Sequence, residues 1–106
     1  MVYKRVVAIL RGSVLEAVET SLKQLGITGI SVSQVKGYGE YANLFQSNWM
    51  VTNARIEIFT SQDQVDSIVT TIMETAHAGV AGDGLVAVTP VEKLYRIRTK
   101  TEYGPD

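Results

Sequence analysis

Three glycines in one short run, Gly79-Val80-Ala81-Gly82-Asp83-Gly84, give this chain its clearest candidate for chemistry. Glycine adopts backbone conformations closed to other residues, so the run can turn several N–H groups into one concavity, and such a concavity holds an anion. A plain helix C-cap and turn would use the same residues. The run lacks the Gly-Lys-Ser/Thr ending of a Walker A loop. Further along, Arg96 and Arg98 stand two apart on a segment expected to be extended. That spacing sends both guanidinium groups to one side, where their forked donors suit a phosphate. Alternating charge on an exposed edge strand is the plainer account of either arginine alone. The combination favours an anion, because one end of a strand-helix-strand half then offers backbone and guanidinium donors together.

Catalytic and metal chemistry find little support. His77 is the single histidine and follows a helix, with no cysteine or acidic pair at ligand spacing, so it reads as a surface or capping residue. Ser13, Ser61 and Ser67 lack a nucleophile-elbow context and a histidine–acid pairing. The carboxylates are scattered along helix faces and termini, where solvation and the helix dipole account for them. The absence of cysteine removes thiolate metal sites, disulfides and cysteine nucleophiles together. Ten basic against eleven acidic side chains leave a net charge of −1, without the positive excess that holds a protein on nucleic acid or anionic lipid. The apolar run from Val6 to Leu10 is too short for a signal-peptide core or a membrane span, which points to the cytoplasm.

One domain has to position these groups, since 106 residues make a single core and are too few for two. Val6-Val7-Ala8-Ile9-Leu10 is short and β-branched and predicts a buried strand. Ser13 stands three residues before Glu16 as in a capping box, and Val14, Val18, Leu22 and Leu25 share one face, predicting a helix over 14–25 that stops at Gly26. Ile30, Val32 and Val35 predict a second strand over 28–36, closed by Gly37-Tyr38-Gly39. Residues 54–60 alternate as a third strand, with Arg55, Glu57 and Phe59 on one face and Ile56 and Ile58 on the other. Ser61 or Asp63 caps a second helix, lined by Val65, Ile68, Val69, Ile72, Met73 and Ala76, that runs until Gly79. The apolar run from Leu85 predicts a central strand ending before Pro90, Leu94 to Ile97 a shorter one, and residues 99–106 a fraying tail.

Strand, helix, strand, repeated once, gives an α+β ferredoxin-like βαββαβ fold: an antiparallel sheet with two helices on one face. Apolar residues such as Ile58, Phe59, Val86 and Val88 appear on both sheet faces. This favours a second face covered by another subunit.

At this level of detail the chain resembles the PII signal-transduction family over almost its whole length. The landmarks are Gly26-Ile27-Thr28-Gly29, Val35-Lys36-Gly37-Tyr38-Gly39, Arg55-Ile56-Glu57-Ile58, Gly82-Asp83-Gly84 and Arg96-Ile97-Arg98-Thr99, in the family's order. The resemblance implies a homotrimer whose sheets face a common centre, with an adenine nucleotide (ADP, AMP or ATP) in each cleft between neighbours. It assigns phosphate binding to Gly82, Asp83, Gly84, Arg96 and Arg98, and the adenine side to Ile9, Ser31, Gly37, Tyr38, Gly39 and Phe59. At Phe59 the family has an aliphatic residue.

Departures from the family narrow the expectation. Leu85 and Asn53 stand where the family has phosphate-facing lysines, so two positive charges are lost. Glu40-Tyr41 replaces the family's Arg-Gln, and 2-oxoglutarate binding is not carried over. The projecting partner-binding loop is shortened to residues 40–53 and holds Glu40, Tyr41, Leu44, Phe45 and Trp49, an apolar load unusual for a solvated loop. Residues from Trp49 to Val51 would alternatively extend the third strand. Arg55 could reach the cleft in place of a lost lysine, or pair with a carboxylate on the sheet face. The expectation is a non-enzymatic regulator that binds ADP or AMP at least as well as ATP, with no metal cofactor, and controls a partner such as a membrane transporter or metabolic enzyme. A metal-tolerance protein of related trimeric fold would need ligands beyond His77. A small acylphosphatase-type hydrolase would need a water-positioning asparagine outside the variable loop that holds Asn43, Asn48 and Asn53.

Overall fold

Alternation along the first strand sets the layers of the molecule. In β1 (Tyr3–Arg11) Val6, Ala8 and Leu10 are fully buried, while Tyr3, Arg5, Val7, Ile9 and Arg11 point to the other face and are half-buried. The computed structural model describes residues 1–37 and 51–104. Within them the order is β1, α1 (Leu15–Gln24), β2 (Ser31–Gly37), β3 (Val51–Ser61), α2 (Val65–Ala76), β4 (Leu85–Val91) and a small hairpin of β5 (Tyr95–Arg96) and β6 (Thr101–Glu102). The main sheet runs β2-β3-β1-β4, antiparallel throughout. This is the ferredoxin-like arrangement expected from the sequence.

The register brings Val6 opposite Ile58, Ala8 opposite Ile56 and Leu10 opposite Ala54. On that face lie Val18 and Leu22 of α1 and Ile68, Ile72 and Ala76 of α2, which complete one core. Full burial of a Val, Leu or Ile side chain contributes about 1.5–3 kcal/mol, so this face holds most of the apolar stabilisation. Leu25 and Met73, expected on the buried faces, are exposed at the helix margins. Gly26 ends α1 as expected: at φ +89° its N–H donates to Lys23 O and that of Ile27 to Leu22 O, a Schellman closure.

Several boundaries differ from the expected ones for identifiable reasons. Each helix is entered through a single 3₁₀ turn, Gly12–Val14 and Gln62–Gln64, and neither start has a side-chain cap hydrogen bond. The turns supply carbonyl partners from Gly12 and Gln62 to the first N–H groups, so the Ser13–Glu16 capping box and the Ser61 or Asp63 cap do not form. The second helix stops at Ala76, before Gly79. β4 is an edge strand rather than a central one and runs through Pro90, which an edge tolerates because its missing N–H interrupts no inner ladder. Val51 to Asn53 do extend the third strand. The C-terminal residues do not fray as far as position 104. Tyr103 N–H donates to Leu94 O at 2.8 Å and the Tyr3 hydroxyl to Gly104 O at 3.0 Å.

Candidate functional site

The glycine loop between α2 and β4 is built around its aspartate. Asp83 Oδ2 accepts the N–H groups of Ala78 at 2.9 Å and Gly79 at 2.8 Å, and its own N–H donates to Val80 O. Gly79, Gly82 and Gly84 take φ of +80°, +93° and +103°, the left-handed region that lets the chain reverse this tightly. Arg11, at the end of β1, reaches the same carboxylate, Nε to Oδ1 at 3.6 Å, and donates through Nη2 to Ala76 O. The N–H groups of Ala78 and Gly79 hold the Asp83 carboxyl below its ordinary range against the opposing effect of desolvation, with smaller help from the Val80 N–H and the Arg11 guanidinium. His77 caps the end of α2, with its ring exposed and Nδ1 3.9 Å from Asp83 Oδ2.

Gly84 is where the loop meets the sheet. A Cβ there would lie 1.8 Å from Ile9 O, so only glycine lets β4 start against β1 at this point. Leu85 then pairs with Ile9 on the face away from the helices. On the helix side an open cleft of about 220 Å³ has Ile9, Leu10, Ile72, His77, Asp83 and Gly84 in its lining.

The two arginines lie elsewhere. β4 runs from Leu85, opposite Ile9, to Val91, opposite Tyr3, so the hairpin with Arg96 and Arg98 starts from the far end of the sheet. At ~3.3 Å per residue that strand separates loop and hairpin by roughly 20 Å. The expectation that one end of a strand-helix-strand half offers both sets of donors therefore fails within a single chain. The same-side argument for the arginines fails as well. Arg96 closes the two-residue β5, whereas Arg98 falls in the turn of residues 97–100, which Lys100 N–H closes on Ile97 O at 3.2 Å.

The remaining predicted residues divide between the same two ends. Ile9, Ser31, Gly37 and Phe59 all project from the face away from the helices or, for glycine, occupy a position on it. Ile9 and Gly37 belong to the loop end. Phe59, opposite Arg5 and 48% exposed, belongs to the hairpin end, and Ser31 lies between, opposite Glu57. Arg55 is held on this face: its Nη2 lies 3.6 Å from Glu57 Oε2, which also accepts from Arg5 Nε. Asn53 is buried, and Leu85 is 44% exposed. Tyr38, Gly39, Glu40, Tyr41, Leu44, Phe45 and Trp49 lie outside the described residues. Sequence reasoning missed Arg11 and Tyr103, the residues that brace the loop and the hairpin. Arg11 directly precedes the turn into α1 and carried a signal only as a cation at a strand end.

Among the described residues, no three histidine, cysteine or acidic side chains converge as a metal site, and no helix is long and apolar enough to cross a membrane.

The family model described as nitrogen regulatory protein P-II matches residues 3–101. A nitrogen regulatory protein P-II of Pasteurella multocida is 38% identical over 93% of this chain and 95% of its own length. A P-II homolog of Arabidopsis thaliana is 34% identical over 92% of this chain, which spans 54% of that longer relative. The crystal structure of Arabidopsis thaliana PII bound to citrate superposes with a TM-score of 0.82 at 35% identity, covering 96% of this chain and 89% of that one.

Proposed function

This chain belongs to the nitrogen regulatory protein P-II family, and we propose that it acts as a nucleotide-sensing regulator whose binding site is completed only when copies associate. The observation that carries this reading is the division of the candidate residues between opposite ends of one sheet. Gly82, Asp83, Gly84, Ile9 and Gly37 stand at one end, and Arg96, Arg98 and Phe59 at the other. A second copy that places its hairpin against the first copy's loop unites the halves, and a homotrimer provides three such junctions. Phe59 and Ile97, 48% and 92% exposed in the isolated chain, supply apolar surface for that association.

In this reading an adenine nucleotide occupies each junction, its phosphates between the glycine loop of one copy and the arginines of the next. ADP or AMP binds at least as well as ATP, because Leu85 and Asn53 offer no ammonium group to a third phosphate. The stretch 40–50, with Glu40, Tyr41, Leu44, Phe45 and Trp49, engages the regulated partner, a membrane transporter or a metabolic enzyme in the cytoplasm. The protein regulates rather than catalyses.

Light scattering and calorimetry test the proposal together. A trimer mass, with ADP or AMP binding that Arg96→Ala and Arg98→Ala each weaken about tenfold or more, is expected from the loss of charge-assisted hydrogen bonds. A monomer at micromolar concentration, or unchanged binding in the double variant, would remove the shared site. A clear ATP preference strengthened by magnesium and 2-oxoglutarate would overturn the reading of Leu85, Asn53 and Tyr41.

A further inference from the structure

The C-terminal hairpin carries an aromatic bracket that the glycine loop does not explain. The guanidinium carbon of Arg96 lies 4.2 Å from the centroid of the Tyr103 ring. Tyr103 in turn meets Tyr3 edge-on, with centroids 5.8 Å apart and planes at 80°. Tyr3 is the first residue of β1, and its hydroxyl donates to Gly104 O, one residue beyond Tyr103. Tyr103 is further fixed by its own N–H, which donates to Leu94 O. A continuous set of contacts thus runs from the main sheet through Tyr3 and Tyr103 to the arginine.

This bracket matters because of what else surrounds Arg96. The residue is exposed on a two-residue strand, and among the described residues no carboxylate pairs with it. A long arginine side chain in that setting samples many rotamers. A ring 4.2 Å from the guanidinium carbon restricts that sampling. A guanidinium so restrained is the partner a bidentate phosphate contact needs. Among the described residues, Arg98, in the turn, has no such ring.

We propose that Tyr103 is a positioning residue: it holds the guanidinium plane of Arg96 in place before a phosphate arrives, so that the hairpin presents a set donor pair to a nucleoside diphosphate. The inference rests on the nucleotide reading above. Its effect on affinity comes from preorganisation and is modest, roughly two- to fivefold as expected for an exposed cation–π contact.

Calorimetry of the full chain with ADP, and with adenosine as the phosphate-free probe, decides the matter. Tyr103→Leu weakens ADP binding by that factor and leaves adenosine binding unchanged. Tyr103→Phe, which keeps the ring, binds ADP like the wild type. In an Arg96→Ala background Tyr103→Leu has no further effect, whereas a general loosening of the hairpin would still lower affinity there. Wild-type ADP affinity in Tyr103→Leu, or a loss that persists without Arg96, overturns the inference and leaves the nucleotide reading standing. No ADP binding by the wild-type chain overturns both. If the leucine variant does not fold, Tyr103→Met serves instead, since it keeps an apolar side chain of similar reach but has no ring for the guanidinium to rest on. Affinity reduced towards that of Arg96→Ala supports the proposal, and wild-type affinity overturns it.

Discussion

Replacing Gly84 by alanine isolates the closest approach in the candidate site. At φ +103° an L-residue is strained, and such strain costs about 1–3 kcal/mol. The added Cβ would also lie 1.8 Å from Ile9 O and 2.8 Å from Ile9 C, atoms of the β1 backbone that no side-chain rotation can move aside. Pushing β4 away from β1 to relieve this overlap adds an overpacking cost of about 1–3 kcal/mol. The sum is on the order of 2–6 kcal/mol, a large share of the roughly 5–15 kcal/mol that holds a domain together. Gly26→Ala is the control, because its φ of +89° carries comparable strain while its Cβ would meet nothing within 4 Å. Urea unfolding of both variants should place Gly84→Ala below Gly26→Ala by about 1–3 kcal/mol, the overlap contribution alone. Equal stabilities would refute the claim that the loop is pressed against β1.

Three further outcomes are expected. Asp83 has its carboxyl pKa lowered from 3.8 by the N–H groups of Ala78 and Gly79 foremost, so its stabilising contribution is complete above that value and disappears as pH falls through the lower folded-state value. Urea unfolding across acid pH should therefore show wild type above Asp83→Asn near neutrality, with the gap closing in strong acid; a gap independent of pH would contradict this. Lys100 is a non-glycine residue at φ +57°, so Lys100→Gly should relieve about 1–2 kcal/mol of left-handed strain. Greater unfolded-state freedom offsets about 0.4–1 kcal/mol of that, and thermal unfolding should rise by a few degrees. On the proposed nucleotide reading, Leu85→Lys should raise ATP affinity relative to ADP by about tenfold, the worth of one charge-assisted hydrogen bond, measured by parallel titrations.

The layers of the fold were legible because its buried faces are encoded by local periodicity. Val6, Ala8 and Leu10 alternate with Val7 and Ile9, and Ile68, Ile72 and Ala76 recur at helical spacing, so strand, helix and inner face follow from neighbours in the chain. Pro90 and Ser13 misled for a common reason. Whether a proline ends a strand depends on which side of the sheet it occupies, and whether a serine caps depends on the turn before the helix; both are settled by partners distant in sequence or by backbone geometry. The candidate site was legible in its residue types and not in its layout. Gly82 to Gly84 and Arg96 are close in sequence, but β4 intervenes and carries them to opposite ends of the sheet. Tyr103 gave no signal because its contact with Tyr3 spans the length of the chain.

The presence of an acidic residue in the proposed phosphate loop is reconciled by the partners of that residue. A free carboxylate beside a phosphate would repel it, but Asp83 turns its oxygens inward, onto two backbone N–H groups and towards Arg11. The negative charge is thereby balanced inside the loop and also fixes its shape. The same arrangement commits Arg11, which is held between Asp83 and Ala76 O, and a parallel one commits Arg55 and Arg5 to Glu57. Of the arginines near the sheet, those left for an external anion are Arg96 and Arg98, and they stand at the end of the molecule remote from the loop. On the proposed reading, two guanidinium groups match the charge of a diphosphate more closely than that of a triphosphate. The proposed preference for ADP and the proposed need for a second copy of the chain thus have one physical origin: Arg11 and Arg55, at the loop end of the sheet, are already paired within the fold.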